Sequence, residues 1–258
     1  MTTTRAPCPQ CERGPRDTAL AITIDERGTV SFCHRCGYTA TEHTARAASY
    51  VPRTTAKPEP LDWSPGAEST WRRTQPLKGT LGEVYLHHRG CILPPRDSHL
   101  RFLSGDDRYP PSLVAAITDI RTAKPISLHF TRLAADGKGK AGTDRDKVLL
   151  AGHRKRGGCI RLWPDEAVTH GLALAEGIES ALSAAHAFTP TWATVDAAGM
   201  AAFPVLPGIE ALVLFADGDD AGIDAAAECA DRWTTAGKDV LVTFPSALGT
   251  DMNDEVRA

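Results

Sequence analysis

The chain has 258 residues, 42% hydrophobic and 24% charged, a composition that supports a buried core and excludes a disordered polymer. No run approaches the roughly 18 consecutive apolar residues of a membrane helix, and residues 1–16 lack the apolar stretch of a secretory signal, so a cytoplasmic address away from any membrane is expected. The net charge of −3 conceals an asymmetry: 8 lysines and arginines stand against 6 acids in residues 1–60, 18 against 12 in residues 61–168, and 3 against 14 in residues 169–258. A basic middle suits a polyanion, and an acidic end suits bound cations.

Four of the seven cysteines cluster early, as Cys8, Cys11, Cys33 and Cys36. Two C-x2-C knuckles in a cytosolic chain read as a tetrahedral zinc site rather than as disulfides. Residues 19–24 alternate like a strand, residues 25–28 read as a turn and residues 29–32 return, so a hairpin carries one knuckle to the other. The expectation is a small β zinc ribbon over residues 1–48, in which Zn2+ replaces the core that so short a module cannot build. His34 reads as an exposed side chain, and the isolated Cys91, Cys159 and Cys229 as ordinary thiols.

Residues 49–75, with Pro52, Pro58, Pro60 and Pro65, read as an extended linker. Residues 76–168 follow as a mixed α+β subdomain. A short helix over 82–88 ends at Gly90, and strands are expected over 113–120, 126–133, 148–151 and 159–163. Around them lie Arg89, Lys138, Lys140, Arg145, Lys147, Arg154, Lys155, Arg156 and Arg161. Basic side chains in loops between strands can follow a phosphate backbone at little desolvation cost, and as a set they are expected to form a nucleic-acid or nucleotide surface.

Residues 169–258 alternate strand and helix. Strands are expected over 172–175, 192–195, 211–216 and 240–244, with helices over 180–188, near Met200 and over 222–236. That order predicts an α/β, Rossmann-like parallel sheet with helices on both faces. Ligands in such sheets bind at the carboxyl ends of the strands. Glu176 follows the first strand, Asp217, Asp219 and Asp220 follow the third, and Asp251 and Asp254 lie in the loop after the fourth. Carboxylates so grouped repel one another unless a cation neutralises them, and oxygen ligands favour Mg2+ or Mn2+ over zinc.

These strings resemble known motifs. L-A-L-A-E-G-I-E-S-A-L (172–182) and L-V-L-F-A-D-G-D-D-A-G (212–222) are similar to the glutamate and D-x-D motifs of a TOPRIM domain, and T-D-M-N-D (250–254) resembles the third acidic motif of phage and plasmid TOPRIM primases. C-P-Q-C (8–11) and F-C-H-R-C-G-Y (32–38) are similar to the zinc-binding domain of primases, a family that often has histidine where this chain has Cys11. Y-L-H-H-R-G (85–90), L-H-F-T-R-L-A-A-D-G-K-G-K-A (128–141) and G-G-C-I-R-L (157–162) resemble the N-terminal part of the primase core. The chain as a whole therefore resembles a phage- or plasmid-type, bacterial-like DNA primase. Ser180 stands where cellular primases often carry an aspartate, with Glu179 one residue earlier.

The resemblance implies synthesis of short RNA primers on single-stranded DNA from ribonucleoside triphosphates. Asp217 and Asp219 would hold the divalent metal, Glu176 would be a ligand or the base, and Asp251 would complete a second metal site. Lys138, Lys140 and their basic neighbours would hold template or nucleotide, and any replicative helicase would be a separate protein. Two other readings use the same residues. A TOPRIM nuclease would cut rather than join, and the primase-like basic middle weighs against it. A non-catalytic zinc-ribbon recombination mediator would only bind DNA, and the intact acidic set weighs against that.

Overall fold

The computed structural model describes residues 2–11, 13–25, 28–43 and 62–258. It divides into two compact units, Met1–Glu59 and Pro60–Ala258. In the first, β1 (Thr2–Ala6), β2 (Leu20–Asp25), β3 (Gly28–Cys33) and β4 (Thr39–His43) form an antiparallel sheet in sequential order. The β2–β3 hairpin pairs Leu20 with Cys33 and Asp25 with Gly28. The flanking strands, T-T-T-R-A and T-A-T-E-H, lack the apolar alternation that marks a strand in sequence.

In the second unit, α1 (Pro65–Arg72) and α2 (Leu81–His88) accompany a nine-stranded sheet. Its first strands are β5 (Leu100–Leu103), β6 (Ser112–Asp119), β7 (Pro125–Arg132), β8 (Lys147–Leu149) and β9 (Gly158–Arg161). The later ones are β10 (Gly171–Ala175), β11 (Thr191–Ala193), β12 (Ala211–Phe215) and β13 (Asp239–Thr243). The order is β13-β12-β10-β11-β9-β6-β7-β8, with β5 beside β6. Strands β11, β10, β12 and β13 pair in parallel, and β11 joins β9 antiparallel. Strands from residues 76–168 and from residues 169–258 thus join in one sheet, β9 pairing with β6 on one side and β11 on the other.

The linker expectation needs correction. Residues 49–61 lie outside the described residues, but the chain is folded from Asp62 onward. Ser64 caps α1 by accepting from the Ala67 backbone N–H, and Ala67 is buried among Val114, Ala116 and Leu128. Pro65 occupies the helix start, where its missing N–H costs nothing, so a proline that reads as tether serves as a helix initiator.

Strand alternation sorts the parallel sheet into two faces. Leu172, Leu174, Leu212 and Leu214 pack with α4 (Ala197–Ala201) and α5 (Asp220–Thr235), through Met200, Ala225, Ala226 and Trp233. Ala173, Ala175 and Phe215 face the other way, toward α2, α3 (Ile178–Ala184) and α6 (Met252–Arg257). The small alanines of β10 leave room for α3 to lie close. Helices therefore cover both faces, as expected, and among the described residues no helix is long and apolar enough to cross a membrane.

Candidate functional site

Strands β10 and β12 are parallel neighbours, so the residues just past their carboxyl ends are brought together. Glu176 leaves β10 at the turn into α3. Asp217 leaves β12, and Asp219 caps α5 by accepting from the Gly222 N–H at 2.8 Å. A Cβ on Gly222 would lie 2.5 Å from the Asp217 carbonyl oxygen and 2.9 Å from Glu176 Oε1, so only glycine lets α5 begin there. Asp251 lies at the end of the loop after β13, as the sequence suggests, and caps α6 in a reciprocal capping box with Asp254, which belongs to the first turn of that helix rather than to the loop.

Burial, then the charges of Asp217 and Asp219, push the Glu176 carboxyl up to about 7. Burial, then Asp251 and Asp219, push Asp217 up to about 6. Glu176 Oε1 and Asp217 Oδ1 are buried without a hydrogen-bond partner. Two orphaned anionic oxygens in a mutually repelling set are the donors that a hard divalent cation takes. Their spacing is loose: among the described residues, only the four cysteines form a group with all ligand atoms within 4.8 Å of one another.

Asn253 was not legible as a site residue. It is fully buried, and its Nδ2 donates to the Arg89 carbonyl at 2.6 Å and to Ser183 Oγ at 2.8 Å. These bonds pin α6, and with it Asp251, onto α3 and the end of α2. An asparagine beside a methionine between the two acids of D-M-N-D (251–254) is the only signal the sequence offers.

The basic residues divide into three groups. Lys147 and Lys140 turn inward to the buried Glu179, at 3.0 Å and 4.0 Å. Lys138, exposed, and Arg89 line a hollow of about 170 Å³ with Lys140, His88 and Arg257. Of the remainder, Arg145 and Arg156 are exposed as expected, whereas Arg161, Arg154 and Lys155 are paired and correct the expected surface at those three positions. Arg161 is 4% exposed, lies 4.5 Å over the Trp192 ring and bonds Asp165 and the Ile120 carbonyl. Arg154 is held by Asp62 and Asp119, and Lys155 pairs with Asp196. The carboxylate partners of Arg154 and Lys155 are distant in the chain, which a count of charge does not reveal, whereas Arg161 pairs with Asp165 four residues on and what the sequence hides there is its burial.

In the first unit the thiols of Cys8 and Cys36 lie 3.7 Å apart and those of Cys11 and Cys33 lie 3.8 Å apart. A tetrahedron with Zn–S arms of about 2.3 Å has edges of about 3.8 Å, so the four sulfurs fit a zinc ion. Backbone N–H groups of Cys36 and Arg35 directed at Cys33 hold its thiol down to about 6 against the opposing effect of burial. The adjacent Cys36 thiol, then burial, push Cys11 up to about 12, and burial pushes Cys8 up, so it is the spacing of the sulfurs that speaks for a metal.

Residues 171–258 match the family model described as the Toprim domain, and residues 63–162 match one described as a domain of unknown function, DUF7146. The protein is a mixed α/β chain ending in a Toprim domain, preceded by a small antiparallel sheet that carries four clustered cysteines. Among solved structures it is similar to the zinc-binding and RNA polymerase domains of the Aquifex aeolicus primase, with 14% identity and a TM-score of 0.48, over 99% of this chain and 75% of that one. It is also similar to a DNA primase domain from Pseudomonas aeruginosa, with 15% identity and a TM-score of 0.41, over 70% of this chain and 56% of that one. No curated protein matches it.

Proposed function

We propose that the chain is a DNA primase of the phage or plasmid type, making short RNA primers on single-stranded DNA by divalent-metal-dependent nucleotidyl transfer. The observation that carries this reading is the placement of Glu176, Asp217, Asp219 and Asp251 around the strand ends of a Toprim domain, with Lys147 close enough to Asp217 for its charge to act there. An acidic set that demands cations, bordered by ammonium groups, suits a substrate that is itself a metal–triphosphate complex.

In primer synthesis a 3′-hydroxyl attacks the α-phosphate of the next ribonucleotide, and pyrophosphate leaves. Asp217, Asp219 and Asp251 would hold Mg2+ or Mn2+, which when bound neutralises phosphate charge. Glu176 would complete that ligand set or accept the hydroxyl proton, a role suited to a carboxyl held near 7. Lys138, Lys140 and Lys147, with Arg89, would bind nucleotide phosphates or template. The four cysteines would hold a structural Zn2+, and the ribbon would engage single-stranded template. A helicase would act as a separate partner.

The test incubates the protein with end-labelled single-stranded DNA, labelled ribonucleotides and Mg2+ or Mn2+, followed by a denaturing gel. Template-dependent RNA of short length, lost in Asp217→Ala, is the expected result. Shortened DNA without RNA would make the protein a nuclease. Neither product, with DNA still shifted on a native gel, would make it a binding protein.

A further inference from the structure

Glu179 is an unusual acid for its position. It stands in the first turn of α3, where a glutamate ordinarily faces solvent and answers the helix dipole. Here it is 3% exposed. The Tyr85 hydroxyl donates to Oε1 at 2.9 Å, Lys147 Nζ lies 3.0 Å from Oε2, and Lys140 Nζ lies 4.0 Å from Oε1. One carboxylate thus gathers α2, α3 and the segment entering β8. Burial opposes its ionisation, but the two ammonium groups hold it down at about 2.

A buried carboxylate with partners on three elements is poor value as a source of stability, because desolvation cancels most of the attraction. The lysines are informative in this respect, since their side chains remain 36% and 43% exposed while the acid is sealed. The acid is anchored, and the lysines lean on it from the solvent side. Lys147 Nζ would be 3.8 Å from a Cβ on Gly177, the residue next to Glu176, so its ammonium stands at the turn that presents the acidic set. Other groups facing these side chains are His129, half-buried with a buried and unpartnered Nδ1, Arg89, and Asp146 beside Lys140.

We propose that Glu179 is a positioning residue, which holds the Lys147 ammonium beside the carboxylate set so that it meets the phosphates of an incoming nucleoside triphosphate. The inference rests on the primase reading for the identity of that ligand. Lys140, at the longer distance, is held more loosely by the same acid. The role explains an acid at this place in a chain that carries Ser180 where an aspartate often stands in the resembling family.

The experiment uses the full zinc-loaded chain and two readouts that need no turnover. One is the rate at which a lysine-acylating reagent labels Lys147, read by peptide mass spectrometry against exposed Lys138. The other is affinity for a fluorescent ATP analogue with Mn2+. In Glu179→Gln, Lys147 labelling rises severalfold relative to Lys138 and nucleotide affinity falls about tenfold, the scale of one charge-assisted contact. In a Lys147→Met background the same substitution costs no further affinity, whereas a merely structural role would subtract equally in both backgrounds. Tyr85→Phe, which removes only a hydroxyl, leaves Lys147 labelling unchanged. If Glu179→Gln fails to fold, Glu179→Asp keeps the charge while withdrawing it by one methylene, and it moves both readouts the same way by less. Unchanged labelling, or unchanged affinity, overturns the proposal. Affinity that depends on Glu179 in a protein that makes no primer overturns the primase reading and leaves the positioning role standing.

Discussion

Arg161 and Lys138 carry the same charge and meet opposite environments. The Arg161 guanidinium is enclosed by Trp192, Thr118, Asp165 and the carbonyls of Asp119 and Ile120, whereas Lys138 reaches solvent. Removing a buried cation from its partners costs roughly 3 kcal/mol or more, and trimming an exposed lysine costs less than about 0.5 kcal/mol. Arg161→Ala should therefore lower the melting temperature sharply, while Lys138→Ala should leave it unchanged and weaken DNA binding with a shallower salt dependence. Thermal melts and DNA titrations at two salt concentrations separate the two. Glu176 gives a pH test. Its carboxyl, pushed up to about 7 by burial and its acidic neighbours, lies above an unfolded value of about 4.3. The native state then binds more protons between those values, so this group's contribution to stability declines as pH rises through the window. His129, held down to about 4 by burial, then Lys147, titrates there with the opposite sign, so the informative quantity is a difference. With a chelator present, Glu176→Gln should exceed the parent in stability by on the order of 1 kcal/mol at pH 8, the gap closing toward pH 5. An equal gap at both would refute the assignment.

At the scale of elements, the helix that matters most is the one the sequence hid. Residues 251–254 read as loop because six residues, four of them polar or charged, show no amphipathic period, yet Asp251 and Asp254 cap α6 reciprocally and Asn253 nails it down. The same limit hid β1, β4, β5 and α1, which are short or polar and are fixed by partners far along the chain. Where period and length were sufficient, as in α2, β6, β7 and the strands and helices from β10 to β13, the elements were legible to within a few residues. Asn253→Ala removes two donated bonds and strands the Arg89 carbonyl and Ser183 hydroxyl, at a cost of about 2 kcal/mol. Because Asp251 moves with α6, Mn2+ affinity should fall together with the melting temperature. A loss of stability with unchanged Mn2+ affinity would detach Asp251 from the metal set.

For the molecule as a whole, the convergence of Glu176, Asp217 and Asp219 was legible because β10 and β12 are parallel neighbours whose carboxyl ends lie on one side, so that acids following them are brought together. The basic surface was only partly legible, since Asp62, Asp119 and Asp196 claim Arg154 and Lys155 through contacts no local pattern reveals, and Arg161, paired with Asp165 four residues on, is buried under Trp192. The two units differ in what sustains them. Pro60–Ala258 has extended apolar layers on both faces of its sheet, whereas the fully buried cluster described in the first unit is Cys8, Leu20 and Cys33, two of which are thiols of the metal group. A module with so little apolar burial would draw its folding free energy from the proposed zinc ion. A strong chelator should therefore remove a single zinc ion per chain and abolish hydrogen-exchange protection across residues 2–43, while the cooperative melt of residues 62–258 stays in place. Affinity for nucleotide, seated in the second unit, should survive that treatment, and binding of single-stranded DNA should decline. Protection of the ribbon amides that persists after the metal is gone would refute a structural role for zinc, because the fold would then stand on Leu20 and its partly buried neighbours alone.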